Sequence, residues 1–319
     1  EIYDPKKDAW KAGPPLSAPR SNHATVQLAD GLVAIIGGGA SNDMGLPSGD
    51  GVLASVDLFD PSADAMSAGP ALATGRGFHQ AVRLADGRVL VVGGVATGGS
   101  AVLDAEALDA AHTAFSPAGT LATGHAAFGL ARLTTGDVVA VGGIDGGAIT
   151  SAADRFDASA NTWSPLPSMS TGRLFVAVAP LANGGLLAAA GISGTGTFST
   201  STETLASGAA AWSPGPDLPG SSEDAVGGSG LALLRLESGT VLGAGAYAGS
   251  PITQSYGPGS FSGVFDEATR KWTKTSRLDA PRGIPAIVEL ADHRVMLLGG
   301  IGANNGATAT CSVTAAPVD

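Results

Sequence analysis

Apolar residues along this chain fall in short unbroken runs, too brief for helices, and each run closes on a pair of small residues. The pairs are Gly37-Gly38, Gly93-Gly94, Gly142-Gly143, Ala190-Gly191, Ala244-Gly245 and Gly299-Gly300. Their second members lie 56, 49, 48, 54 and 55 residues apart, a mean near 52, so the 319 residues hold about six copies of one unit. Within each copy an apolar strand ends at Leu28, Leu84, Leu133, Leu181, Leu236 or Leu290, and a polar turn follows. Asp30-Gly31 and Asp86-Gly87 mark that turn as a hairpin. A second strand such as Val89-Leu90-Val91-Val92 then runs into the small pair, and its continuous apolar character predicts burial on both faces.

A loop rich in Gly, Ser and Thr leads to a third strand ending at Phe59-Asp60-Pro61, Leu108-Asp109-Ala110, Phe156-Asp157-Ala158 or Phe265-Asp266-Glu267. The fourth strand carries one large residue, Met66, Phe115, Trp163, Trp212 or Trp272, with Trp10 as the sixth. Four antiparallel strands in each of six copies predict an all-β, six-bladed β-propeller. The chain reads as a single propeller over residues 1–319, with units at approximately 20–70, 76–119, 125–168, 173–217, 228–277 and 282–319. Residues 1–12 are expected to complete the last blade and close the ring, which removes its exposed edges. Either 1–3 or 311–314 is then a surplus third strand.

Composition agrees with this reading. Gly (48) and Pro (19) occupy a fifth of the chain, and charged residues are only 14%, against about 25% in typical soluble domains. Long solvated helices would lack cover. The formal charge of −11 repels a phosphate backbone, so nucleic acid is not an expected partner. No run approaches the roughly 18 apolar residues of a membrane span. The opening Glu1-Ile2-Tyr3-Asp4-Pro5 has no Met and no basic segment, so no signal peptide is read, and a mature or trimmed chain, one that has lost an export signal included, is the expectation. Low charge and abundant small residues lean toward an exported bacterial protein, periplasmic, extracellular or on the cell surface. One cysteine, Cys311, gives no internal disulfide and no cysteine-based zinc site.

The small pairs, Phe59-Asp60-Pro61, Trp163 and Arg173 together resemble the kelch family of repeat propellers. The fifth copy departs most, with Ala244-Gly245 for the pair, Leu205-Ala206-Ser207 before it and Gly228 where an arginine is expected. Counting eight residues back from the aligned leucines gives Arg20, Arg76, His125, Arg173, Gly228 and Arg282. Equivalent positions in a propeller form a ring, and the resemblance implies that such arginines often line a pocket for acidic or polar partners. An Arg fork grips a carboxylate with two parallel hydrogen bonds. Arg20, Arg76, His125, Arg173 and Arg282, with His23 and His79, are therefore the expected ligand-binding residues. The competing reading is structural, each arginine pairing with an acid or carbonyl of a neighbouring blade.

His23 and His79 sit in register, five residues before the leucine, where two imidazoles can ligate copper or iron. The other copies place Phe128, Val176, Leu231 and Pro285 there, which favours plain packing. His112 and His293 are expected on the surface, and Glu289, Asp292 and His293 on a solvated hairpin. A likeness to galactose-oxidase-type copper enzymes would require two tyrosines, two histidines and a cross-linked cysteine. Tyr3, Tyr247, Tyr256 and Cys311 do not match that set. No Gly-x-Ser-x-Gly elbow and no His-Glu-x-x-His is present. Residues 41–44 and Asp50 offer oxygen ligands for calcium without the spacing of an EF-hand.

The loops 38–53, 94–105, 143–152, 191–201, 245–263 and 300–308 share one face, and 257–260 is expected to shape its mouth. The expected function is that of an interaction module whose loop face binds an acidic peptide, a protein loop or a glycan. No cofactor is expected, with calcium and copper the ions these residues admit. An enzyme using the same pocket, or a structural subunit of an assembly, is the alternative.

Overall fold

The computed structural model describes residues 1–4, 6–39, 51–220, 229–250, 255–302 and 311–313. Regular structure in them is wholly extended, and no helix is long and apolar enough to cross a membrane. The chain divides into two compact units, Glu1–Ala126 with Ser159–Thr162, and Ala127–Ala158 with Trp163–Asp319.

The first unit holds two four-stranded antiparallel sheets. One is built from Ala24–Gln27, Val33–Ile36, Val56–Asp60 and Ala65–Ala68, paired in chain order. The other is built from Gln80–Arg83, Val89–Val92, Asp104–Leu108 and Phe115–Thr120, with a register shift between Pro117 and Thr120. A separate hairpin pairs Ile2–Asp4 with Ala9–Lys11 and stacks Tyr3 on Trp10 at 5.3 Å between ring centres.

The second unit repeats the pattern. Its four-stranded sheets are Gly129–Arg132, Val138–Val141, Ala153–Asp157 and Thr162–Leu166; then Ala177–Pro180, Leu186–Ala189, Thr202–Leu205 and Ser213–Pro214; then Ala232–Arg235, Val241–Ala244, Ser262–Asp266 and Lys271–Lys274. A last sheet has three described strands, Ala286–Glu289, Val295–Leu298 and Cys311–Val313. Of the two candidates for its third strand, Cys311–Val313 holds the place. Trp212, expected within a fourth strand, lies just before the short strand Ser213–Pro214 and donates from its indole to the Pro167 carbonyl at 2.7 Å.

Burial follows strand rank. Val89–Val92 and Val138–Val141 are wholly buried, as continuous apolar runs between covered faces should be. The first strand Ala24–Gln27 alternates, with Ala24 and Val26 in and Thr25 and Gln27 out. Fourth strands are largely exposed and lay one ring over the third strand, Trp163 on Phe156 at 5.2 Å and Trp272 on Phe265 at 5.4 Å. The core lies between neighbouring sheets: Val26, Ile36 and Val56 meet Val89 and Val91 in the first unit, and Val139 and Val141 meet Val176 and Ala188 in the second. At full burial each such valine contributes about 1.5–3 kcal/mol.

The turn after the third strand is set by its aspartate. Asp60 accepts N–H bonds from Ser62 and Ala63, and Asp266 from Ala268 and Thr269, at 2.8–3.1 Å. These bonds hold both carboxyls below their usual pKa, led by the Ser62 hydroxyl for Asp60 and by the Thr269 amide for Asp266. His112, expected on the surface, has a side chain only 7% exposed, because its turn folds onto the neighbouring hairpin and brings Nδ1 to 3.4 Å from Asp30.

One pair is displaced from its expected position. In the fifth copy the residues with positive φ after the second strand are Gly245 (76°) and Ala246 (140°), not Ala244-Gly245. Ala244 ends the strand Val241–Ala244. Ala246 also makes the bond that marks the second member elsewhere: its N–H donates to the Arg282 carbonyl at 3.0 Å, as Gly143 donates to that of Arg173 at 2.7 Å.

Candidate functional site: the corner leading into each first strand

Four residues lead into each first strand: Arg20-Ser21-Asn22-His23, Arg76-Gly77-Phe78-His79, His125-Ala126-Ala127-Phe128, Arg173-Leu174-Phe175-Val176, 228–231 and Arg282-Gly283-Ile284-Pro285. The second or first of the four bridges to the loop after the small pair, through Ser21 to Gly39, Gly77 to Val95, Arg173 to Ser193 and Gly283 to Ile301. Corner and loop therefore share one end of the sheet. The third residue takes the left-handed conformation in every copy, with φ of 53° at Asn22, 57° at Phe78, 50° at Ala127, 52° at Phe175, 74° at Gly230 and 53° at Ile284.

Backbone bonds explain the uniformity. In the first unit Phe78 N–H donates to the Asn22 carbonyl at 3.1 Å. In the second, Phe175 donates to Ala127 at 2.7 Å and Ile284 to Gly230 at 2.8 Å. Phe78, Phe175 and Ile284 are thus each tied to the counterpart in the preceding copy. The fourth residue covers the small pairs: a Cβ on Gly94 would lie 2.7 Å from the Gly77 carbonyl and 2.9 Å from the His79 Cβ. One on Gly300 would lie 2.6 Å from the Gly283 carbonyl. Such closeness admits only glycine.

The arginines face inward. Arg173 is 1% exposed and its Nη1 donates to the carbonyls of Ala190 and Ser201, both at 3.0 Å. Its Nη2 meets the Ser201 hydroxyl at 2.7 Å and the Glu203 carboxylate at 3.1 Å. Arg20 repeats this with the carbonyls of Gly37 and Ser55 and the carboxylate of Asp57 at 3.0 Å. Arg76 does so with the carbonyls of Gly93 and Asp104 and the carboxylate of Glu106. Burial pulls the Arg76 pKa down, and Glu106 offsets part of that.

Each acid also accepts from the connection that enters its copy: Glu106 from Ala73 N–H at 2.8 Å, Glu203 from Ser170 at 2.8 Å and Asp57 from Ser17 at 3.2 Å. The ion pairs lie within one copy, where a neighbouring blade was expected to supply the partner. The forks are spent on the chain itself. Arg282 is fully buried, with Nε on the Ala280 carbonyl at 3.3 Å, and His125 is fully buried as well. Gly228 lies outside the described residues, as do the calcium candidates at 41–44 and 50.

The acids escaped the sequence reading although their offset is regular. Asp57, Glu106, Asp154 and Glu203 each stand two residues before the aromatic or leucine that closes the third strand. In the fifth copy that place is Gly263, and the arginine is missing with it.

His79 is 2% exposed, and neither ring nitrogen has a hydrogen-bond partner. Burial first and the Arg76 charge second lower its pKa to about 3, with part of the shift offset by the backbone of Ile36 and Arg76. His23 is exposed, with its pKa lowered by partial desolvation and by Arg20. Two guanidiniums beside these imidazoles oppose a bound cation as they oppose a proton. The geometry gives His79 the packing task that Val176 has in the second unit.

At four of the six corners the left-handed residue reaches solvent, whereas Ala127 and Gly230 are buried. Ile284 is 41% exposed, Asn22 is exposed, and Phe78 and Phe175 are half-buried. A cavity of about 450 Å³ opens elsewhere in the first unit, behind the Arg76–Glu106 pair, lined by Ala73, Thr74, Asp104, Phe115 and Thr120. Tyr3 donates to Asp8, and Tyr247 is buried with its backbone N–H on the Ser229 carbonyl.

Four-stranded antiparallel sheets recur at the spacing of kelch repeats, and arginine–carboxylate pairs staple three of their corners, at Arg20, Arg76 and Arg173. The Kelch motif model matches residues 133–170, which span the second strand, the Asp157 turn and Trp163. Among solved structures that of YjhT is similar, with a TM-score of 0.68 at 14% identity, covering 93% of this chain and 97% of that one. At that identity the likeness shows the fold. No curated protein sequence matches the chain significantly.

Proposed function

We propose that the chain is an interaction module, a ring of six kelch blades whose solvent-reaching left-handed corner residues, Asn22, Phe78, Phe175 and Ile284, form the contact rim. Six copies of the sequence unit support the blade number, and kelch propellers generally mediate binding. In a closed ring the corners and their loops surround one mouth of the central channel.

The observation that carries the reading is the choice of residue at those corners. A non-glycine side chain in the left-handed region costs about 1–2 kcal/mol, and a β-branched one is an outlier. Three corners nevertheless carry Phe78, Phe175 and Ile284 at φ of 52–57°, partly open to solvent. Strain of this kind persists where a side chain has work beyond its own fold.

With the arginine forks engaged, the ligand is one that meets apolar and aromatic surface: a protein loop or peptide presenting an apolar side chain. Peptide and glycan arrays probed with the wild type and with the triple variant Phe78→Gly/Phe175→Gly/Ile284→Gly test this. Peptide spots lost by the variant support the reading. Spots kept by the variant, or confined to glycans, overturn it.

A further inference from the structure

The hairpins between first and second strands share a pattern, and at three of its positions the fifth and sixth copies depart together. Glu289 stands where the other copies have Gln27, Arg83, Arg132, Pro180 and Arg235. Glu237 stands where they have Ala29, Ala85, Thr134, Ala182 and Ala291. His293 stands where the other five have Gly31, Gly87, Gly136, Gly184 and Gly239. Three unrelated offsets in sequence meet at one spot in the second unit. His293 Nδ1 lies 3.2 Å from Glu289 Oε1 and 3.6 Å from Glu237 Oε2, and one donor atom of each residue lies within 4.8 Å of the others. The other Glu289 oxygen accepts the Glu237 N–H at 3.0 Å, which fixes that carboxylate against the neighbouring turn. Asp292, expected in this cluster, turns away to Arg294 at 2.8 Å, and that bond leads in holding its carboxyl below the usual pKa.

We propose that Glu237, Glu289 and His293 form a site for one divalent ion of the zinc class, clipping the fifth hairpin to the sixth. Imidazole nitrogen with two carboxylates is a donor set for borderline metals, whereas calcium takes oxygen ligands and has no use for the imidazole. Water from the open side completes the roughly four ligands that zinc takes. A hairpin contact alone would need only Glu289, since Glu237 adds a second anion facing the first. His293 also holds a turn at φ 63° where glycine serves the other copies.

The test is equilibrium dialysis of the whole chain against zinc chloride, with bound metal counted by mass spectrometry. His293→Gly restores the residue that the other five turns use, and Glu237→Gln alters an exposed side chain, so both variants keep the fold. The wild type should retain one zinc equivalent more than either variant, and zinc should raise its thermal midpoint alone. Equal uptake by all three proteins would overturn the site. So would a thermal shift produced by calcium and retained in His293→Gly.

Discussion

Arg173 keeps its guanidinium out of water, and the carbonyls, hydroxyls and carboxylate around it come from its own copy. Removing one partner of such a pair strands a buried charge, which costs about 3–5 kcal/mol. Glu203→Ala should therefore lower the unfolding free energy by that amount in urea titration, and Arg173→Ala/Glu203→Ala should lose less than the two single losses added together. Arg20→Ala/Arg173→Ala should unfold sheets before it reports on any ligand.

His79 makes a separate prediction. Its folded pKa near 3 lies below the ordinary 6.5, so the unfolded chain takes up a proton first as pH falls. Stability is lost from pH 6.5 down toward 3, about 2 kcal/mol of it by pH 5. His79→Leu, which supplies an apolar side chain at the place of Val176, should match the wild type or exceed it at pH 7. The stability gap between the two proteins should widen by about 2 kcal/mol between pH 8 and pH 5. A gap independent of pH would contradict the buried neutral imidazole.

At the scale of elements the strands were legible because their sequences differ in kind: continuous apolar runs for second strands, an apolar strand ending at the aligned leucine for first strands, one large residue for fourth strands. The small pair was legible in five copies and misplaced by one residue in the fifth, where composition favoured Ala244-Gly245. The spacing from the aligned leucine, ten residues in every copy, selects Gly245-Ala246. The arginines were legible as a repeat with both a ligand and a structural reading, but their partners were not sought two residues before the end of the third strand, so buried staples could not be told from open forks. The left-handed corners were invisible, because Asn22, Phe78, Ala127, Phe175, Gly230 and Ile284 share no chemistry. At Phe78, Phe175 and Ile284 the conformation is fixed by a backbone bond to the preceding copy. The closeness of Gly94 to the Gly77 carbonyl predicts that Gly94→Ala costs at least about 2 kcal/mol in thermal or urea unfolding. Gly98→Ala, with nothing within 4 Å of its Cβ, serves as the control for a left-handed glycine in open space.

For the whole molecule the proposal is a closed ring of six copies with a rim of strained side chains at one mouth. A compact chain of this length has a radius of gyration of about 20 Å, and small-angle scattering well above that would speak against closure. The rim is the central claim, and it can be tested before any ligand is known. Ile284→Gly removes a partly exposed β-branched side chain from the left-handed region, so the unfolding free energy should hold or rise by about 1 kcal/mol. A fall of 1 kcal/mol or more would mean that Ile284 is there to pack against Gly230 and its surroundings, and the rim would lose its claim to be a binding surface.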